Sequence, residues 1–184
     1  MLFRSEALRT RFIEKEGSPV PIVDESVTVG ITRLDLKSQP EDEHEGEIMS
    51  IAVEEAERPF DLMTGPLVRV VLVELDKEKF VLFFTMHHIV SDGWSTGILS
   101  RELAALYAAF IDNKPSPLTE LQIQYADFAY WQREVFNSDF FLDCLDYWKE
   151  QLQGAPPLLE LPLDRRRKPL QKKEGGVEHF EIDL

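Results

Sequence analysis

The sequence predicts an α/β fold, a two-layer sandwich in which helices pack on a sheet. Three observations carry this expectation. Two dense apolar runs, 67–75 and 80–87, are separated by the polar step Asp76-Lys77-Glu78-Lys79, the spacing of a β-hairpin. Residues 94–111 then change to helical period, with Leu99, Leu103, Leu106, Tyr107 and Phe110 on one apolar stripe. Two more helical stretches follow, around 125–135 and 139–152, the latter with Phe141, Leu145, Trp148 and Leu152 on a shared face.

Taken in order, residues 8–13 read as a strand entered without a preceding loop or cap. Val27, Val29 and Ile31 alternate with Thr28, Gly30 and Thr32, the period of a half-buried strand. Between 41 and 57 lie eight acidic residues and no Lys or Arg, while Ile48, Ile51, Ala52 and Ala56 recur at helical spacing. That charge run is read as the solvated face of a helix. The Gly65-Pro66 step marks 60–66 as a loop. The Val- and Phe-rich runs that follow are expected to be strands covered on both faces. Beyond Gly154 the chain is Pro-rich, then basic (Arg165, Arg166, Arg167, Lys168, Lys172, Lys173), with a last strand expected over 178–184. No internal repeat is visible.

Composition narrows the function. A chain of 184 residues fits one domain, and 43% hydrophobic residues with 12 Phe and 3 Trp can fill a core. Lys and Arg number 20 against 34 Asp and Glu, a net charge of −14, which argues against a nucleic-acid partner. No apolar run approaches the ~20 residues of a membrane span. The first residues lack a signal peptide's apolar region, and the single cysteine, Cys144, has no internal partner. A cytoplasmic setting without membrane attachment is the expectation.

One segment carries chemistry: Met86-His87-His88-Ile89-Val90-Ser91-Asp92-Gly93-Trp94-Ser95, placed where a strand ends and a helix begins. Three readings compete. A metal site is disfavoured because adjacent strand residues point to opposite faces, and no further Cys or carboxylate cluster completes the set. A structural reading makes both histidines satisfied packing groups and Asp92 the cap of the next helix. A general-base reading puts one histidine in a cleft, since an imidazole of reference pKa near ~6.5 can accept a proton at neutral pH.

The segment resembles the His-His-x-x-x-Asp-Gly signature of nonribosomal peptide synthetase condensation domains, with the preceding Met and the following Trp-Ser included. Three other elements are similar to the family's motifs, in the family's order. Arg4-Ser5-Glu6-Ala7-Leu8-Arg9-Thr10-Arg11-Phe12 resembles Arg-His-Glu-x-Leu-Arg-Thr-x-Phe, with Ser5 where His is usual. Phe60-Asp61-Leu62, Gly65-Pro66-Leu67-Val68-Arg69 and Tyr125-Ala126-Asp127-Phe128-Ala129-Tyr130-Trp131 resemble two more, and Pro162-Leu163-Asp164-Arg165 follows where the family enters a crossover.

The resemblance implies a fold similar to one chloramphenicol acetyltransferase-like subdomain, and amide-bond formation between carrier-bound donor acyl or peptidyl and acceptor aminoacyl thioesters. It implies His88 as the base or amine-positioning group and His87 as structural. It also implies that Gly93 lets backbone approach the reacting carbonyl, and that Arg4 pairs with Asp92 to hold the loop, ahead of Arg9 as competitor. Trp94, Tyr125, Asp127 and Trp131 are read as supporting residues packed around the motif. The family implies no resident cofactor or metal, because substrates arrive on the phosphopantetheine of carrier proteins. The implied partners are the upstream and downstream peptidyl carrier proteins, a C-terminal condensation subdomain and an adenylation domain of the same assembly line. The basic residues from Arg165 to Lys168 are read as a solvated crossover, with carrier docking as the alternative.

Family domains carry an additional strand-helix segment before the position of Met1 and a second, similar subdomain beyond 184. The chain is therefore expected to be incomplete at both ends: a partial N-terminal subdomain over 1–163 and a crossover segment over 164–184. Such a piece is not expected to catalyse condensation alone. Two other classes stay in view, an acyltransferase that closes its site by oligomerising and a noncatalytic carrier-protein-binding module. The histidine pair also fits an epimerisation domain, although the Gly93-Trp94-Ser95 continuation favours condensation.

Overall fold

Glu16 and Gly17 both have positive φ, 54° and 75°, the backbone of the two-residue turn whose twist matches paired strands. They join β1 (Thr10–Lys15) to β2 (Ser18–Val23) in an antiparallel hairpin with Lys15 opposite Ser18. Pro19 and Pro21 lack an amide hydrogen and fit β2 because it has a neighbour on one side only. This computed structural model describes residues 4–158 together with Pro162, Phe180 and Ile182. It forms two compact units, Met1–Phe136 and Asn137–Leu184, each described by itself.

The rest of the first unit is built on a three-stranded sheet. β3 (Ile31–Asp35) runs to α1 (His44–Glu57), which returns the chain to β4 (Val68–Asp76), and β5 (Lys79–Met86) follows across a short turn. β3 and β4 are parallel, β4 and β5 antiparallel, in the order β3-β4-β5. Alternation sorts the side chains of β4. Val71, Val73 and Leu75 are buried with Leu36, and Ile48 and Ile51 of α1 pack on them beside Val81 and Phe83 of β5. This apolar layer between helix and sheet is the core.

α2 (Gly93–Ile111) leaves the end of β5, and α3 (Tyr125–Phe136) follows a connection that runs past Leu121. In the second unit α4 (Asp139–Gln151) starts at Ser138, whose hydroxyl accepts the Phe141 amide at 3.3 Å. Among the described residues no helix is long and apolar enough to cross a membrane.

Four expectations shift. A 3-10 turn, Glu6–Arg9, precedes β1, because the Thr10 amide bonds back to Ala7 and closes a cap the sequence does not advertise. The strand expected at 27–31 begins at Ile31, where pairing with β4 becomes available, and β2 was not anticipated. β5 is not covered on both faces: Phe80 and Leu82, at the hairpin end away from the motif, are exposed. On α2 only Leu106 is buried, and Tyr107 is 69% and Phe110 58% exposed. The basic residues 165–168 and the strand expected at 178–184 fall outside the described residues, apart from Phe180 and Ile182.

Candidate active site

The ladder between β4 and β5 continues one residue beyond Met86, where the His87 amide donates to the Leu67 carbonyl at 3.1 Å. That register sends His87 to the face of Phe83 and Thr85, and His88 to the face of Phe84 and Met86. The two imidazoles therefore diverge. His87 is half-buried, with its ring perpendicular to Phe60 at 6.0 Å. Its Nδ1 accepts the Ile89 amide at 3.1 Å, which leaves the proton of the neutral ring on Nε2. Its carbonyl accepts the Val90 amide at 3.0 Å and the Ser91 hydroxyl at 3.2 Å. His87 thus ties the turn that follows the strand.

His88 is exposed and lines two cavities. The first, about 610 Å³, is walled by apolar side chains that include Leu8, Phe12, Met86, Ile98 and Leu121, with Arg4 and Glu102 also on its lining. The second, about 470 Å³, lies among Phe83, Phe84, Leu99 and Leu103. An apolar recess with a few convergent polar groups is the usual form of a small-ligand site.

Asp92 caps α2. Its Oδ1 accepts the Ser95 amide at 2.7 Å and the Ser95 hydroxyl at 2.5 Å. The hydroxyl of Ser95, then its amide, hold the Asp92 carboxyl below the ordinary carboxylate range, and a positive charge on His88 and the Trp94 amide act in the same direction. Gly93 opens the helix, and a Cβ built there would meet open space. Trp94 is 82% exposed.

The expected pair between Arg4 and Asp92 does not form. Arg4 Nη1 donates to Glu102 Oε1 at 2.5 Å, and its Nε to the Thr119 carbonyl. Arg9 does not meet Asp92 either, but Glu6 at 3.3 Å and the Asp24 carbonyl. The expectation assumed a buried carboxylate in need of a cation. Asp92 is exposed, and the helix N-terminus already supplies its donors. Sequence reasoning passed over Glu102, although it is the one carboxylate on α2 and falls beside Leu99, Leu103 and Leu106.

Gln124 was also missed. Its side chain donates to the Arg4 carbonyl at 2.9 Å and accepts the Glu6 amide at 3.1 Å, while its own amide donates to Asp127 at 2.8 Å. Asp127, at the third position of α3, thus accepts the amide of the residue that precedes the helix, and it is not part of either cavity lining. Tyr125 lines the first cavity, and Phe128 joins its ring to that of Trp131 at centroid distances of 5.8 and 5.6 Å. Trp131 stays outside the cavity, and Ser5 lines it. No group of three or more His, Cys, Asp or Glu suited to a metal ion occurs among the described residues.

A family described as Condensation domain matches residues 1–183. Over 175 residues the chain is 47% identical to a linear gramicidin synthase polypeptide of Brevibacillus parabrevis, covering 95% of this chain and 3% of that protein. It is 40% identical over 179 residues to Phosphinothricin tripeptide synthetase PhsC of Streptomyces viridochromogenes, covering 97% of this chain and 16% of that one. The crystal structure of the X-domain from teicoplanin biosynthesis superposes with a TM-score of 0.77 at 26% identity, over 91% of this chain and 36% of that chain. The chain thus spans a small part of the synthetases it matches and about a third of the solved domain.

Proposed function

Because the chain belongs to the condensation domain family, we propose that it forms one wall of a peptide-bond-forming site in a nonribosomal peptide synthetase. The amine nitrogen of a carrier-bound aminoacyl thioester attacks the carbonyl carbon of a carrier-bound acyl or peptidyl thioester. The new C–N bond forms as the C–S bond breaks, the donor carrier's thiol takes a proton, and the product stays on the acceptor carrier. His88 is the group that engages the attacking amine. Most of the rate advantage comes from holding the two reacting atoms about 3–3.5 Å apart.

One observation carries this reading: His88, at the end of a strand whose other face is anchored by His87, lines both cavities. A residue shared by both linings is where a substrate in one recess meets a substrate in the other. Asp92 shapes the turn by capping α2 and has no part in proton transfer. The partners in this reading are upstream and downstream peptidyl carrier proteins bearing phosphopantetheine, a second condensation subdomain and an adenylation domain.

The test is single-turnover condensation with donor- and acceptor-loaded carriers, using protein that contains this chain and its partner subdomain. His88→Ala lowers the rate by roughly 10²–10⁴-fold. An unchanged rate in a folded variant removes His88 from the chemistry. Turnover by the chain in an oligomer of itself would replace this reading with a subunit-interface acyltransferase.

A further inference from the structure

Glu55 belongs to the acidic run that reads as solvated, yet it is only 7% exposed. Arg69 explains its burial. From β4, Arg69 Nε donates to Glu55 Oε2 at 2.9 Å. Its Nη2 donates to the carbonyls of Glu55 at 2.8 Å and Arg58 at 2.9 Å, and its Nη1 to that of Pro59 at 3.3 Å. These acceptors close the C-terminal end of α1, where a cation is favoured. Four acceptors met by three separate nitrogens of one side chain suit a guanidinium fork and not an ammonium group.

The same guanidinium lies 3.9 Å from the centre of the Phe60 ring. Phe60 in turn meets His87 perpendicularly at 6.0 Å. The His87 ring is oriented by its bond from the Ile89 amide, and rotation of the imidazole would break that bond. A continuous series of contacts therefore runs from the end of α1 through Arg69 and Phe60 to the residue that ties the turn carrying His88.

We propose that Arg69 is a positioning residue: through Phe60 it fixes the His87 ring, and with it the 87–91 turn that presents His88. The consequence for catalysis rests on the condensation reading above. The consequence for His87 does not, and is measured without substrate.

The experiment records two-bond ¹H–¹⁵N spectra of the histidine side chains in the whole 184-residue chain, near pH ~8, where reference imidazoles are neutral. The chain has four histidines, so loss of one pattern in His87→Gln assigns it. In the unaltered protein His87 gives a single Nε2–H tautomer. Phe60→Leu and Arg69→Lys convert that pattern to a tautomer average, while the His44 signals stay in place. Lys37→Gln, which breaks ion pairs to Asp35 and Glu74 on the same sheet, leaves His87 unaltered.

A single His87 tautomer in folded Arg69→Lys overturns the proposal, as does one in Phe60→Leu, which decides if Arg69→Lys fails to fold. In the condensation assay both variants lose up to about 10²-fold in kcat with KM unchanged. A disturbed His87 with full kcat overturns the positioning role. Unaltered protein that contains the partner subdomain and never condenses overturns the condensation reading and the catalytic consequence with it, a failure distinct from an undisturbed tautomer.

Discussion

Ser95 donates both its amide and its hydroxyl to the same oxygen of Asp92, at 2.7 and 2.5 Å. One carboxylate oxygen thereby satisfies a helix-terminal donor and sets the chain direction from the motif turn into α2. It also accounts for the motif's aspartate without an ion pair to Arg4 or Arg9.

Stability should depend on pH through this cap. The folded Asp92 carboxyl is held below its unfolded value, so its contribution is complete above the ordinary carboxylate pKa near ~3.9 and is lost as pH falls through the lowered folded value. Asp61, held down chiefly by the Met63 amide, and Asp35, chiefly by the Lys37 amide, act in the same direction. Asp92→Asn keeps an oxygen for the cap and should show a smaller acid-side loss of Tm than the unaltered chain. Thermal melts between pH ~2 and 6 check this, and an identical acid limb would count against the cap's titration.

Arg4 and Glu102 should be coupled. Each side chain is about four-fifths buried, so the pair lies between the surface and interior cases. A double-mutant cycle of Arg4→Gln and Glu102→Gln in urea should give a coupling energy of roughly 1 kcal/mol. The cycle of Arg4→Gln with Asp92→Asn should give none. Coupling to Asp92 instead would restore the pairing that the geometry rejects.

The first hairpin offers a clean stability test. Gly17 sits at φ 75°, so Gly17→Ala should destabilise by about 1 kcal/mol. Glu16 occupies φ 54° with a side chain that disfavours it, and Glu16→Asn should raise Tm by relieving that preference. Equal Tm for both variants would show that the turn is not populated as described.

Apolar exposure should drive self-association despite the −14 charge. Trp94, Tyr107, Phe110, Tyr130 and Trp131 are all exposed on α2 and α3. Patches of a few hundred Å² or more tend to associate. Size-exclusion chromatography should show oligomers that shift toward monomer in Trp94→Ser or Phe110→Ser. A monodisperse monomer at high concentration would count against this.

The parts legible in the sequence were those governed by local pattern. The hairpin around Asp76–Lys79, the helices beginning near Gly93 and Tyr125, and the divergence of His87 from His88 follow from period and adjacency. Ion-pair partners did not follow. Arg4 finds Glu102, 98 positions away, and Arg69 finds Glu55 through the crossover, because pairing depends on which faces the sheet and helices bring together. β2 was hidden for a related reason: its two prolines argue against a strand unless it lies at an edge, and edge position is a tertiary property.

The first cavity is assembled from stretches of chain that are far apart in sequence. Arg4 and Glu6 are joined to Gln124, and Arg4 to Glu102 and Thr119, across separations of 98 to 120 residues. Closing loops of that length is entropically costly, whereas the β4–β5 hairpin forms between neighbours. The part of the recess contributed by Met86 and His88 therefore belongs to the chain's early-forming, slowly exchanging part, and the part contributed by Arg4 and Glu102 to a late-closing seam. Amide exchange should be fastest along that seam, so that the recess can breathe open while the strand bearing His87 remains in place.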